Sequence, residues 1–417
     1  MRGFLFLISF VASLSCFSQD IGYARSIVDT LTSEYFSGRG ALNDGEKKAA
    51  SFIKKQYEEN GLKPLGDSFF QEFSSPINVF PGEISVKIDG QSLNVGEDFL
   101  IDPSSGGVKG SFEIVWYNAK NIPSKKQLKK LAYRNYFVDK IVVLDDKGVD
   151  KNDSVFRLLK GNNFNAAGIF LIKEKLTHSL SKKRNGFVSL KVKRGVIRQT
   201  DKIITLNFKQ KFLSSYQSQN VIGLIEGAEH PDSFIILSAH YDHLGKLGED
   251  VFFPGANDNA SGLAMLLNMA KHYNKKRPKK SIVFIAFGAE EIGLVGSRFF
   301  VENPLIPLRK INFVFNMDLM GTGSKGGMIV NGEVYKEQFS KLLSINNENG
   351  YLPVLKMRGK AANSDHYWFS ERNVPSFFIY LMGGISAYHD IEDVSKTLPL
   401  TKFEDSFHLI LDFVDEL

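Results

Sequence analysis

Phe234-Ile235-Ile236-Leu237-Ser238-Ala239-His240-Tyr241-Asp242 is an apolar run that ends in an imidazole and a carboxylate. Apolar residues at successive positions, without alternation, read as a strand covered on both faces. The same pattern recurs at 221–225, 282–287, 311–316, 328–330 and 377–381. Helical stretches fall between several of these strands. Residues 261–273 carry Leu263, Leu266, Leu267 and Ala270 on one side, and Phe403, Phe407, Ile410, Leu411 and Val414 form a stripe behind Thr401 and Glu404, which read as a capping box. Strands of this kind alternating with helices predict an α/β fold with a helix-covered mixed sheet.

Working toward the N-terminus, 21–36 and 44–61 read as helices. In the second, Ala49, Phe52, Ile53 and Tyr57 make an apolar stripe among Lys47, Lys54, Lys55 and Glu58, and Gly61 supplies the stop. From about Pro76 the period changes. Ile84, Val86 and Ile88 alternate with polar residues up to the Asp89-Gly90 turn, and short strands follow at 112–117, 141–144, 168–172, 188–192 and 203–208, with helices at 125–133 and 155–159. The expected organisation is a signal segment over 1–18, a helical part over 19–75, a small inserted β-rich domain over 76–218 and the rest of the main domain over 219–417.

A chain of 417 residues exceeds a typical single core, and 43% hydrophobic residues exclude general disorder. The net charge of +6 comes from lysines scattered through 120–211 with acidic residues among them, so no nucleic-acid partner is expected. Met1-Arg2-Gly3, an apolar stretch over 4–14 and Ser15-Cys16-Phe17-Ser18 read as an export signal cleaved before Gln19. That implies a periplasmic or extracellular protein without stable membrane insertion. Ser13 stands where lipid-attachment signals place leucine, which argues against anchoring at Cys16. Cys16 is the single cysteine, so any metal in the mature chain must be held by nitrogen and oxygen.

Several strands end in metal-binding side chains. His240 follows 234–238, with Asp242 two residues on and close enough to turn back on the ring. Asp258 stands in the turn Gly255-Ala256-Asn257-Asp258-Asn259-Ala260-Ser261-Gly262 ahead of a helix, where a carboxylate can cap the helix or bridge two cations. Glu290 and Glu291 follow 282–287. Adjacent residues point in different directions, so one can bind metal while the other moves a proton. Asp318 follows 311–316, and His389 comes after Gly383-Gly384. His240, Asp258, Glu291, Asp318 and His389 give each of two ions three protein ligands if Asp258 is shared.

These segments, in this order, resemble the secreted and vacuolar di-zinc aminopeptidases, a family that includes glutamate carboxypeptidases and glutaminyl cyclases. The resemblance spans about 221–417 and the helices before Pro76. It implies a fold of the zinc-exopeptidase type, two Zn2+ per chain and peptide or protein N-termini as substrate. It assigns His240 and Asp318 to one ion, Glu291 and His389 to the other and Asp258 to both, with Glu290 as general base, Asp242 orienting His240, and a cis bond between Asp258 and Asn259. Tyr388 is placed to donate to the developing oxyanion. Ser364, Asp365 and His366 match a segment near the substrate cleft. The β-rich insert resembles a protease-associated domain, most clearly over 161–172. Asp390 stands where relatives often have threonine. Glutaminyl cyclisation, carboxypeptidase action with Lys360 or Arg372 as the basic group, and a binding protein without turnover are the rival functions.

Overall fold

The computed structural model describes residues 20–150 and 152–417. The export signal expected over 1–18, with Cys16, lies outside the described residues. Among the described residues no helix is long and apolar enough to cross a membrane.

The main sheet is mixed. Its strands lie in the order Lys63–Pro64, Lys211–Ile225, Lys280–Phe287, His230–His240, Ile311–Met317, Ser376–Leu381, Gly327–Val330 and Leu355–Arg358, with Phe70–Val79 also paired to Lys211–Ile225. Lys280–Phe287, His230–His240, Ile311–Met317 and Ser376–Leu381 are mutually parallel neighbours. Parallel neighbours require crossovers, which the helices Gly262–Lys275, Val295–Glu302 and His366–Glu371 help to supply. All four strands therefore end at one edge, and the residues that follow them meet there.

Every residue from Phe234 to His240 is buried. Ile235, Leu237 and Ala239 face a core shared with Leu263, Leu267, Phe407 and Ile410, while Phe234 and Ile236 face a second core with Phe300, Val301 and Phe369. Burial on both faces is why the strand shows no polar alternation.

Two local expectations change. The helix expected over 21–36 stops at Leu31, because Thr32 Oγ1 donates to the Val28 carbonyl and Ser33 Oγ to that of Thr30, and the chain then tightens into the turn Glu34–Arg39. The last helix begins at Phe403 with Lys402 as its boundary residue and no side-chain cap, so Thr401 and Glu404 form no capping box. The backbone at Leu400, φ 54°, turns the chain just before Thr401.

A second sheet occupies 84–208. Its order is Gln91–Ser92, Ile84–Ile88, Ile203–Phe208, Val108–Tyr117, Lys140–Leu144, Gly168–Lys173, Val188–Lys193 and Phe99–Ile101, and the run from Val108–Tyr117 to Val188–Lys193 is parallel. Helices Lys125–Tyr133 and Ser154–Lys160 join those parallel strands. The chain leaves the main sheet along Phe70–Val79 and returns antiparallel along Lys211–Ile225, so main-sheet strands extend past Pro76 and resume at Lys211.

Candidate metal centre

His240 is the last residue of its strand, Asp318 follows Met317, and Glu290 and Glu291 lie just beyond Phe287. Asp258 stands between the halves of the site. Its Oδ1 is 3.4 Å from His240 Nε2 and its Oδ2 is 3.1 Å from His389 Nε2. His240 Nε2 is also 3.4 Å from Asp318 Oδ2, and His389 Nε2 is 3.3 Å from Glu291 Oε2. Donors bound tetrahedrally at zinc's usual bond lengths sit about 3.3 Å apart. The five expected ligands thus converge at a spacing that suits two ions sharing Asp258.

His243 was absent from that set, yet it lies here too. With Asp258 and Glu291 it forms a second group whose ligand atoms could hold an ion, beside His240, Asp258 and Asp318. His243 Nδ1 is 2.7 Å from Glu291 Oε1, a hydrogen-bond distance. His389 Nε2 faces the other oxygen of Glu291, and its Nδ1 rests 3.2 Å from the His178 carbonyl. A ligating imidazole needs that arrangement, so His389 fits as the ligand and His243 as the brace of Glu291. The visible sign of His243 is its place three residues after His240, just past the strand end.

The bridging turn is held from several sides. Asn259 Nδ2 donates to the Met317 carbonyl, and its Oδ1 accepts from Gly262 N and Leu319 N, tying Asp258 to the strand end that carries Asp318. A Cβ on Gly262 would come within 2.2 Å of Asn259 Oδ1 and 2.5 Å of the Met317 carbonyl, which is why glycine stands there. The Asp258-Asn259 bond is cis. Arg39 is fully buried and donates to the carbonyls of Leu31, Tyr241, Pro254, Gly255 and Asp258. Neither Arg39 nor Asp393, which accepts the Asn257 and Asp258 amides, carries a local sequence signal.

Asp242 reaches His240 through its main chain. Its carbonyl is 3.1 Å from His240 Nδ1, whereas its carboxylate is 3.9 Å away and instead accepts the backbone amides of Glu290 at 2.9 Å and Glu291 at 3.2 Å. The expected carboxylate-to-imidazole contact is thus replaced by a clamp on the two glutamates. Ser364 donates to Asp318 Oδ2 and accepts from Asn316 Nδ2, which also receives support through Ser238. Asp365 and His366 are fully buried. Their neighbours Ala362 and Asn363 line the cleft in their place.

That cleft, of about 380 Å3, opens over the ligands and Glu290 and has Leu294, Leu319, Arg358, Phe378, Tyr380 and Tyr388 in its walls. The Tyr388 ring stacks on His389 at 4.0 Å and remains 47% exposed. Lys360 pairs with Glu371, and Arg358 is the basic side chain of the cleft wall.

Burial pushes the Glu290 carboxyl well above the ordinary carboxylate range, with the charges of Glu291, Asp365 and Asp318 adding to the shift and His240 opposing it. Burial likewise raises Asp318, and its Oδ1 has no hydrogen-bond partner among the described residues. Clustered buried carboxylates repel unless a cation lies among them, and a buried carboxylate oxygen without a partner is one such a cation would use. The donor set, nitrogen and oxygen only, therefore fits zinc.

Residues 220–414 match peptidase family M28. Aminopeptidase YwaD of Bacillus subtilis (strain 168) is 31% identical over 320 residues, 72% of this chain and 62% of that protein. A probable zinc metalloprotease of Pyricularia oryzae is 36% identical over 111 residues, 26% of this chain and 22% of that protein. The chain thus spans under two thirds of the length of these relatives. Among solved structures, a zinc aminopeptidase from Bacillus subtilis superposes with a TM-score of 0.72 over 95% of both chains at 22% identity. A peptidase M28 precursor from Shewanella amazonensis SB2B superposes with a TM-score of 0.70 over 95% of this chain and 93% of that one, at 16% identity. At those identities the superpositions establish the fold.

Proposed function

We propose, from the match of residues 220–414 to peptidase family M28, that the chain is a zinc-dependent aminopeptidase acting on peptide N-termini. One observation carries the reading: the carboxylate of Asp258 faces His240 with one oxygen and His389 with the other. His240, Asp258 and Asp318 would hold one Zn2+, and Asp258, Glu291 and His389 the second. Zinc, when bound, makes water a stronger acid and polarises a carbonyl in contact with it.

The chain's own groups supply the rest. Asp242 fixes the backbone of Glu290, whose carboxylate accepts a proton from the attacking water and returns it to the departing amine. Tyr388, at the cleft wall, donates a hydrogen bond to the oxygen on which charge develops. Leu294, Leu319 and Phe378 offer an apolar surface to the substrate's first side chain. The organisation proposed is a signal over 1–18 directing export, a helical part over 19–75, a protease-associated-like insert over 76–218, entered and left along the main-sheet strands Phe70–Val79 and Lys211–Ile225, and a catalytic part over 219–417.

Arg358 favours a second reading, a carboxypeptidase that pairs this guanidinium with a substrate carboxylate. Zinc analysis of the purified protein and a panel of peptides with free or blocked termini separate the two. An aminopeptidase releases arylamine from leucyl arylamide, loses activity on N-acetylation and tolerates a C-terminal amide. The opposite pattern establishes the carboxypeptidase, pyroglutamate formation from a glutaminyl peptide the cyclase, and binding without turnover across the panel the inactive protein.

A further inference from the structure

One loop of the second sheet reaches the metal centre. It connects Gly168–Lys173 to Val188–Lys193 and is anchored by Asn78, whose amide donates to the Ser181 carbonyl at 2.9 Å, and by Lys191 Nζ on the Thr177 carbonyl at 2.7 Å. Its residues meet the centre at three points. His178 accepts from His389 Nδ1 at 3.2 Å through its carbonyl and donates its own amide to the His389 carbonyl at 2.8 Å. Lys175 Nζ lies 2.8 Å from both Asp390 Oδ2 and the Ser386 carbonyl. Leu180 packs against the cluster of Ile77, Ala289 and Ile292, the last two flanking Glu290 and Glu291.

We propose that segment 175–182 is a positioning strap for the Glu291 and His389 half of the centre, so that the second sheet governs occupancy of one metal ion and not the other. This rests on the reading of Glu291 and His389 as ligands. The loop carrying His389 has Gly383 and Gly384 at φ 89° and 79°, and His389 itself at φ 53°, a left-handed backbone that a residue with a side chain keeps only when held. The His178 carbonyl accepts a hydrogen bond from Nδ1–H, which leaves the Nε2 lone pair directed at Asp258 and Glu291. Leu180 supports the turn that carries the other ligand. The His240 and Asp318 half is held instead by the Asp242 carbonyl, Ser364 and the carbonyl of the main-sheet residue Ile379.

The test is zinc titration of the full metal-free chain against a competing chelator, with circular dichroism as a check on folding. Lys175→Glu should repel Asp390, and Leu180→Ala removes packing on the glutamate turn. Each should weaken one of the two zinc-binding steps about 10- to 100-fold while the other stays within about twofold, the size expected for a lost outer support. Lys175→Arg should keep both steps at the wild-type value. Two unchanged steps in both variants, or two equally weakened steps, overturn the strap. A wild-type chain that takes up no zinc overturns the metal reading itself.

Discussion

The carboxylate of Asp393 accepts the backbone amide of Asp258 at 3.0 Å, and that of Asn257 at 2.8 Å, from within a fully buried site. Burial raises its carboxyl to about 6, against the lowering effect of those two amides. Asp393 thus props the residue proposed as the ligand shared by both halves of the centre. Asp393→Ala should weaken both zinc-binding steps, each by about 10- to 100-fold, read by the same chelator competition. This contrasts with Lys175→Glu, for which one step is expected to move.

Glu290 and Glu291 are neighbours to which the proposed function gives separate duties. Glu290→Gln should retain zinc and lose turnover by about 10²- to 10⁴-fold, the usual contribution of a positioned acid or base. Glu291→Gln should lose zinc as well, since it removes a charge that faces His389. Metal content measured alongside kcat on leucyl arylamide distinguishes them, and full turnover by Glu290→Gln would remove it as base.

Arg39 satisfies five carbonyls from three separate segments of chain. Burial lowers its guanidinium to about 10, with Asp258 and Asp393 opposing the shift, so it stays charged at neutral pH. Arg39→Met should destabilise the fold by at least about 3 kcal/mol, because it leaves several buried acceptors unpaired. Arg39→Lys should recover little of this, since one ammonium cannot span the fork. Urea unfolding monitored by circular dichroism measures both.

In the second sheet, Arg194 grips Asp145 through two hydrogen bonds of 2.8 and 2.9 Å and also binds Glu174. The Arg194 contact holds the Asp145 carboxyl below its ordinary range, with burial opposing. A carboxylate depressed in the folded state stabilises it above the unfolded pKa, and that stability is lost as pH falls through the folded value. Arg194→Met should therefore cost up to about 1 kcal/mol at pH 6, where solvent screens the pair, and the gap to wild type should close below about pH 4. Thermal unfolding at both pH values tests this.

The parts of the site legible in the sequence are those fixed by strand ends. His240, Glu290, Glu291 and Asp318 each follow an apolar run, and parallel strands covered by helices must finish at one edge. Asp258 is legible from its glycine-flanked turn, and His389 entered by count and resemblance. Asp242 was legible as a partner but not in its manner, because backbone geometry at the strand end decides whether its carbonyl or its carboxylate meets the ring.

Order of residues along the chain was thus enough to fix the sheet and the edge at which the proposed nitrogen and oxygen ligands gather, since these follow from local hydrophobic pattern and chain direction. Tertiary packing alone decided what holds the donors in place: Arg39 beneath the turn of Asp258, Asp393 behind it, His243 against Glu291 and His178 against His389. Arg39 and Asp258 are 219 positions apart, His178 and His389 211, and Asp393 and Asp258 135. No local period records such contacts, because a hydrogen bond between distant segments is specified only when the cores that carry them close together.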